Sequence, residues 1–279
     1  MKKFLFLFII VLFGVLFSFQ FSFAQETGQQ LEGFNLVGYG EGGDKSWDVK
    51  GTTATIEDKE INITNVDANA YGQEDMNVTA KTGRIDKDKG DMRLEKDVVV
   101  TTQTGTKMLT DSLDWQKKED LITTQDDVTI LRENMKAVGK GITAHPGMKQ
   151  AQLNQDVVVE YTPNPDDEMK DMITISCDGP MEVDYAGQTA VFHDNVIALQ
   201  GDRKLMADEM QLYFDSEKKQ IKEMICIGNV LIVQGENTSF SDKAVYQAGE
   251  KKIKLYGRPK LLLYMNDKGK KDSNVPFGS

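Results

Sequence analysis

The feature that most constrains this chain is a short spacing that recurs along it. An apolar residue is followed by two or three polar or glycine positions, then by a second apolar residue that opens a Val- or Ile-rich run. Leu94-Glu95-Lys96-Asp97-Val98, Leu153-Asn154-Gln155-Asp156-Val157, Phe192-His193-Asp194-Asn195-Val196 and Cys226-Ile227-Gly228-Asn229-Val230 are clear copies. Cys177-Asp178-Gly179-Pro180-Met181 and Tyr256-Gly257-Arg258-Pro259-Lys260 are degenerate ones, and Asn65-Val66 and Asp127-Val128 fit with weaker lead-ins. Read as strand starts, the second apolar residues fall at 66, 98, 128, 157, 181, 196, 230 and 260, mostly close to 30 residues apart with one short step of 15. Self-similarity at such a period marks stacked units that cannot bury an apolar face alone. A strand of five to eight residues plus a turn takes about 8–15 residues, so each unit holds two strands and the chain about 14–18.

Within the runs the period is two rather than 3.6, which is the signature of half-buried strands. One parity carries Val98 and Val100, Val128 and Ile130, Val157 and Val159, Val196 and Ala198, Val230 and Ile232. Leu113 with Trp115, and Met210 with Leu212 and Phe214, follow the same rule, and Val183 and Phe192 complete an apolar lining. The opposite parity is polar, as at Asp97, Thr101, Asp127 and Thr129, which suits a solvated face. The expected fold is all-β: an elongated, open-ended repeat sheet with one apolar face. Pro163-Asn164-Pro165-Asp166-Asp167-Glu168 cannot continue a central strand. It divides the chain into modules at 31–162 and 169–265, with 163–168 as linker and a polar tail at 266–279.

The N-terminus bounds the compartment. Met1-Lys2-Lys3 precedes an uncharged apolar run from Phe4 to Phe23, and Ser22-Phe23-Ala24 places small residues for a cut after Ala24. This is the plan of a signal peptide over residues 1–24. A retained anchor is the alternative, since about 20 apolar residues also span a bilayer. The net charge is −11, and removing 1–24 takes away Lys2 and Lys3 and no acid. Such an acidic chain lacks the basic footprint for nucleic acid or for anionic membrane surfaces.

Motifs of known chemistry are weak here. Gly38-Tyr39-Gly40-Glu41-Gly42-Gly43-Asp44-Lys45-Ser46 misses the Gly-Lys-Ser/Thr ending of a phosphate loop, because Asp44 intervenes, and it lacks a following helix. It reads as a hairpin. Asp86-Lys87-Asp88-Lys89-Gly90-Asp91 has its Gly one place early for a calcium loop and no Glu at position twelve, so it reads as a solvated turn. His145 and His193 are the only histidines, neither has a partner at metal-ligand spacing, and His193 is expected to face solvent. Acids cluster in turns and on outward positions, so a glycan-cleaving carboxylate pair is a minor alternative. No metal, cofactor or catalytic residue is expected. Cys177 and Cys226 share one repeat slot about two rungs apart, or about 10 Å, beyond disulfide reach of about 7 Å. They are read as buried thiols, with a bridge as the alternative.

Two groups of motifs carry a family resemblance. Asp194-Asn195-Val196, Ala207-Asp208-Glu209-Met210-Gln211-Leu212-Tyr213-Phe214-Asp215 and Gly228-Asn229-Val230-Leu231-Ile232 resemble OstA/LptA-type lipopolysaccharide-transport proteins. Ser46-Trp47-Asp48-Val49-Lys50, Ile61-Asn62-Ile63-Thr64-Asn65-Val66, Gly83-Arg84-Ile85-Asp86, Lys96-Asp97-Val98-Val99-Val100 and Leu109-Thr110-Asp111-Ser112-Leu113-Asp114-Trp115 resemble LptC, their inner-membrane-anchored relative. The resemblance implies a β-jellyroll folded into a V-shaped trough with open sheet edges, located in the periplasm or tethered to the inner membrane. It implies lipopolysaccharide, through its lipid A, as ligand of the lining. An inner-membrane ABC transporter, an outer-membrane translocon and further copies joined through edge strands are the implied partners. Joining both types in one chain departs from the family's usual pattern. The alternative is a structural, adhesin-like envelope protein with a dry core.

Overall fold

A computed structural model describes residues 29–39, 43–72, 75–163, 171–215 and 220–264. The expected signal peptide with its Ala24 cut, most of the Pro/Asp linker and the polar tail lie outside the described residues. The N-terminal strands are β1 (Gln29–Tyr39), β2 (Lys45–Ile56), β3 (Glu60–Ala70), β4 (Met76–Asp86), β5 (Met92–Thr102) and β6 (Lys107–Gln116). The middle ones are β7 (Leu121–Arg132), β8 (Met135–His145), β9 (Gln150–Tyr161), β10 (Ile173–Cys177), β11 (Met181–Asp184) and β12 (Thr189–Gln200). The chain closes with β13 (Arg203–Asp215), β14 (Gln220–Gln234), β15 (Asn237–Gln247), β16 (Lys252–Tyr256) and β17 (Lys260–Leu262).

Apart from two broken positions, each strand pairs antiparallel with its neighbour in sequence, which gives one continuous meander. Two strands are broken. β10 and β11 lie end to end between β9 and β12, parted at Asp178-Gly179-Pro180. β16 and β17 lie end to end along β15, parted at Gly257-Arg258-Pro259. Proline donates no ladder hydrogen bond, so a strand stops there. With each broken pair counted once, the seventeen strands of the described residues occupy fifteen positions.

A crease runs across nearly all of these positions. Strand registers slip at mid-strand, between Thr79 and Thr82 on β4, Glu95 and Val98 on β5, Thr124 and Asp127 on β7, His193 and Val196 on β12, and Ile227 and Val230 on β14. Left-handed backbone marks the same line: Lys96 and Asp97 have φ of 66° and 54°, Asp194 and Asn195 63° and 53°, and Gly228 and Asn229 78° and 46°. Gly, Asn and Asp tolerate this conformation best, which is why the repeat needs them. Their side chains also tie neighbouring strands together outside the crease. Asn195 Nδ2 donates to Asp178 Oδ2 at 2.7 Å, and Asn229 Nδ2 to Asp208 Oδ2 at 2.9 Å.

Val157, Val196, Met210 and Cys226 are fully buried, although no second sheet or long helix is present to cover them among the described residues. Only the sheet itself can do so, by folding along the crease into two facing leaves. One leaf holds the strand halves next to the turns at 57–59, 87–91, 117–120 and 185–188; the other holds the halves next to 103–106, 133–134, 201–202 and 235–236. The result is the all-β, V-shaped jellyroll trough.

The structure corrects the meaning of the repeat. Positions 66, 98, 128, 157, 196 and 230 lie in mid-strand, and only Met181 and Lys260 begin strands. The five-to-eight-residue strands expected from the sequence are single arms of strands that are mostly 10 to 15 residues long. The 30-residue unit is a hairpin that crosses the crease twice. Among the described residues there are seventeen strands, where about 14–18 were expected of the chain.

The buried core forms two clusters. One runs from Val49 to Leu113, and the other from Val128 to Ala244, crossing the Pro/Asp segment without a break. β9 of the first module pairs directly with β10 and β11 of the second. The core divides instead at β6 and β7, where the deep positions are Thr110 and Thr124, both buried, and the Thr110 Oγ1 has no hydrogen-bond partner.

Candidate functional site

Register decides which side chains line the trough. In the leaf that contains Val98, one row passes in direct cross-strand contact from Val49 through Ala68, Val100, Ile130, Val159 and Ile232 to Leu261. In the other leaf a matching row passes from Ile61 through Met92, Trp115, Val183, Leu212 and Met224 to Ile253. The first row crosses fourteen strand positions, which at about 4.8 Å per strand is about 60 Å of nearly unbroken apolar surface. Ser239 and Tyr246 are the interruptions near the C-terminal end.

The sixteen residues read from sequence as the lining all face inward, but they fall into two sets. Val98, Leu113, Val128, Val157, Phe192, Val196, Met210, Leu212 and Val230 are buried at 4% exposure or less. Most of these flank the crease and pack against one another. Val159 is at the limit of burial, at 9%. Val100, Ile130, Val183, Phe214 and Ile232 are half-buried and stand nearer the mouth, packed on the core from one side, and Trp115 is half-buried between its cross-strand partners Met92 and Ile122. The second set is reached from the mouth, and the first lies beneath it, closed off by the facing leaf. Sequence reading missed Val49, Ile63, Ile142, Leu205 and Ala207, all buried. The signal for Ala207 was present but shifted: on β13 the crease separates Ala207 from Met210 by three positions instead of four.

The N-terminal end is partly filled. Trp47 opposes Gly38, whose missing side chain leaves room for the indole, and Phe34 and Trp47 both pack on the core. Next to Trp47, on the outer face, Asp48 is buried with an ion pair to Lys45 at 2.5 Å. Tyr71 Oη donates to it at 2.7 Å and Asn69 Nδ2 at 3.1 Å. The Lys45 ammonium and then the Tyr71 hydroxyl hold the Asp48 carboxyl down to about 2, against the opposing effect of burial.

The other residues singled out from sequence are placed as follows. Cys177 and Cys226 are free and buried, on β10 and β14. They stand three strand positions apart rather than two, with β12 and β13 between. Burial pushes the Cys177 thiol up to about 11 and the Cys226 thiol up to about 12. His193 lies on the outer face, partly covered, with Nδ1 3.4 Å from Glu209 and Nε2 3.8 Å from Glu182. Asp86 Oδ1 accepts the backbone N–H of Asp88 and of Lys89, each at 2.9 Å, so the segment after β4 is a turn locked by its own carboxylate. β1 and β2 form a hairpin around the Gly-rich stretch, of which Gly40–Gly42 lie outside the described residues. Among the described residues no group of three or more His, Cys, Asp or Glu stands in position to hold a metal, and no helix is long and apolar enough to cross a membrane.

Comparison with known proteins bears on what such a trough is for. Residues 5–162 match the LptC-related family of lipopolysaccharide assembly, and residues 174–275 match the family described as LptA/(LptD N-terminal domain) LPS transport protein. A search of curated proteins found no match. The first family covers more than half of the 279 residues, and the second continues it in order along the same sheet. The chain therefore belongs to the LptC-related lipopolysaccharide-assembly family, with an LptA-like continuation.

Proposed function

We propose that this protein is a periplasmic bridge segment that carries lipopolysaccharide from the inner toward the outer membrane, with the lipid A acyl chains between the leaves and the sugars outside. The observation that carries this reading is the pair of apolar rows that run the length of the trough, half-exposed at Val100, Trp115, Ile130, Val183 and Ile232. Each acyl methylene taken out of water there contributes about 0.8 kcal/mol. Val98, Val128, Val157, Val196 and Val230 form the floor that the chains reach when the leaves part. No bond is made or broken, so the protein is not an enzyme, and direction comes from an ATP-driven transporter in the inner membrane. Modules 31–162 and 169–265 act as one conduit, since β9 hands the sheet directly to β10 and β11. The family match begins at residue 5, inside the apolar run. This supports a retained tether as the counterpart to cleavage after Ala24, and mass spectrometry of the mature N-terminus decides between them.

The test is a photo-crosslinking amino acid placed in the full chain. Substituted at Ile130 or Ile232 it forms an adduct with lipopolysaccharide, whereas at the outward Val99 it does not. Equal labelling at all three positions, or none at any, sinks the proposal. The near-complete burial of the crease residues favours a second reading, a structural repeat protein with a permanently dry core, and an absence of adducts would support it.

A further inference from the structure

The outward parity of the sheet is not uniformly polar. In the leaf that contains Val98, one outward row passes in cross-strand contact from Val99 through Leu109, Val158, Ile197 and Leu231 to Phe240. It crosses ten strand positions, and only Thr129 and Ser176 interrupt its apolar run. Leu109 and Phe240 remain 38% and 40% exposed, and no residue of the row packs on either core cluster. Among the described residues nothing covers this face. The other leaf shows the usual solvated surface: its outward row is polar at every position from Thr55 to Glu182 and mixed beyond.

Charge flanks the apolar row unequally. Toward the crease, the residue two positions further along each of the ten strands is exposed, and seven of these are aspartate. Two are asparagine and one, Lys140, is lysine. Only Asp97 and Asp156 of the seven have left-handed backbone, so the bend alone does not account for the acid. Toward the rim, the corresponding row carries Lys107, Lys136 and Lys204, with Glu160 as its one acid, 3.9 Å from Lys136.

A face with acid on one side, base on the other and an apolar stripe between is complementary to itself under one two-fold rotation. With the axis along the trough, each copy's lysine row falls on the other's aspartate row and the apolar stripes meet. Lys107 then faces Asp111, and Lys204 faces Asp208, because each pair sits four residues apart on one strand with the stripe between. On β8 the same spacing brings Lys136 to Lys140, between Asp127 and Asp156 of the neighbouring strands. An axis along the strands would instead set lysine on lysine and aspartate on aspartate. Ten strands about 4.8 Å apart, by three rows about 7 Å apart, offer about 900 Å² per copy, against about 800 Å² per partner in a stable interface.

We propose that the outer face of the Val98 leaf binds the same face of a second copy about a two-fold axis along the trough. The two sheets stack about 10 Å apart, as packed sheets do. Both troughs then run in the same direction, their mouths open to opposite sides, and their ends stay free. This goes beyond the lipid reading and does not depend on it, since a dry-core repeat protein would present the same face. An anionic membrane could meet the rim lysines, but it would press the aspartate row of the same face against like charge.

The test is oxidative crosslinking of single engineered cysteines in cells that express the full chain; Cys177 and Cys226 are free and buried, so the parent protein supplies the blank. Val158→Cys, near the middle of the stripe, should give a disulfide-linked dimer. Thr143→Cys, on the outer face of the other leaf, should not. In the Val158→Cys background, K107E/K204E should lower the dimer fraction about threefold or more, and adding D111K/D208K should restore it. Thermal melts show that each variant folds. Where the combined variant melts early, K107E against K107E/D111K repeats the exchange without touching the Asp208–Asn229 hydrogen bond. No dimer at Val158, equal dimer at Thr143, or no recovery on exchange overturns the proposal. So does binding to phosphatidylglycerol vesicles that K107E/K204E abolishes while Val158→Cys stays monomeric.

Discussion

Leu94 and Val98 lie on opposite leaves of the trough although only three residues separate them. Straight alternation would turn Lys96 inward between them; its left-handed backbone, with that of Asp97, turns it out and bends the strand instead. The same device recurs at Asn229, where φ is 46° and the side chain holds Asp208. Asn229→Ala should therefore cost about 1–2 kcal/mol, from left-handed strain and the lost hydrogen bonds. Asn229→Gly, which keeps the backbone conformation, should cost less than Asn229→Ala. Urea denaturation of the two variants measures the difference, and equal losses would count against the crease being set by local backbone.

The split of the lining into floor and mouth separates folding from binding. Leu153→Ala, at 2% exposure, should cost about 2–5 kcal/mol in the same measurement. Val230→Asp buries an unpaired carboxylate and should prevent folding. Ile232→Asp, two residues away at the mouth, should leave a cooperative melt while lowering lipopolysaccharide binding in a gel-filtration assay.

The two thiols should be silent in the native protein. With Cys177 pushed up to about 11 and Cys226 to about 12, and both buried, neither is thiolate at pH 8. A thiol reagent should label fewer than one equivalent at pH 8 and two after denaturation, with no change on prior reduction.

Acid should loosen the N-terminal hairpin first. The Asp48 carboxyl is depressed to about 2, below its value in an unfolded chain. Its contribution is therefore complete above about pH 4 and is lost as pH falls from there through about 2, on the order of 1–2 kcal/mol. Asp48→Asn should lose stability at neutral pH and show a flatter acid limb than wild type. Parallel slopes would show that Asp48 titrates alike in both states.

Which side chains face inward was legible in the sequence because alternation survives within each arm of a strand. Val98 with Val100, and Val230 with Ile232, need nothing more than a period of two. The crease was visible too, as the repeat itself, yet it looked like a turn between strands. Residues such as Asp194-Asn195 and Gly228-Asn229 favour left-handed backbone whether a chain reverses or merely bends. Only cross-strand register tells the two apart. The difference between floor and mouth was not legible either, since Val230 and Ile232 are alike in chemistry and differ only in distance from a fold line that partner strands create. The count of rungs between Cys177 and Cys226 failed because β13, which lies between them, carries no clear copy of the repeat.

Because nearly every strand crosses the crease, the two leaves are stitched together at each rung and cannot swing apart as independent flaps. On the proposed reading as a lipid conduit, seated cargo would have to wedge open its own stretch of the book while the pages on either side stay shut. Moving forward, it parts the pairs ahead as those behind close, so the work of opening is largely returned. On that reading, transport along such a spine would be the passage of a travelling bubble, slowed at fully buried floor positions such as Val157 and Val196.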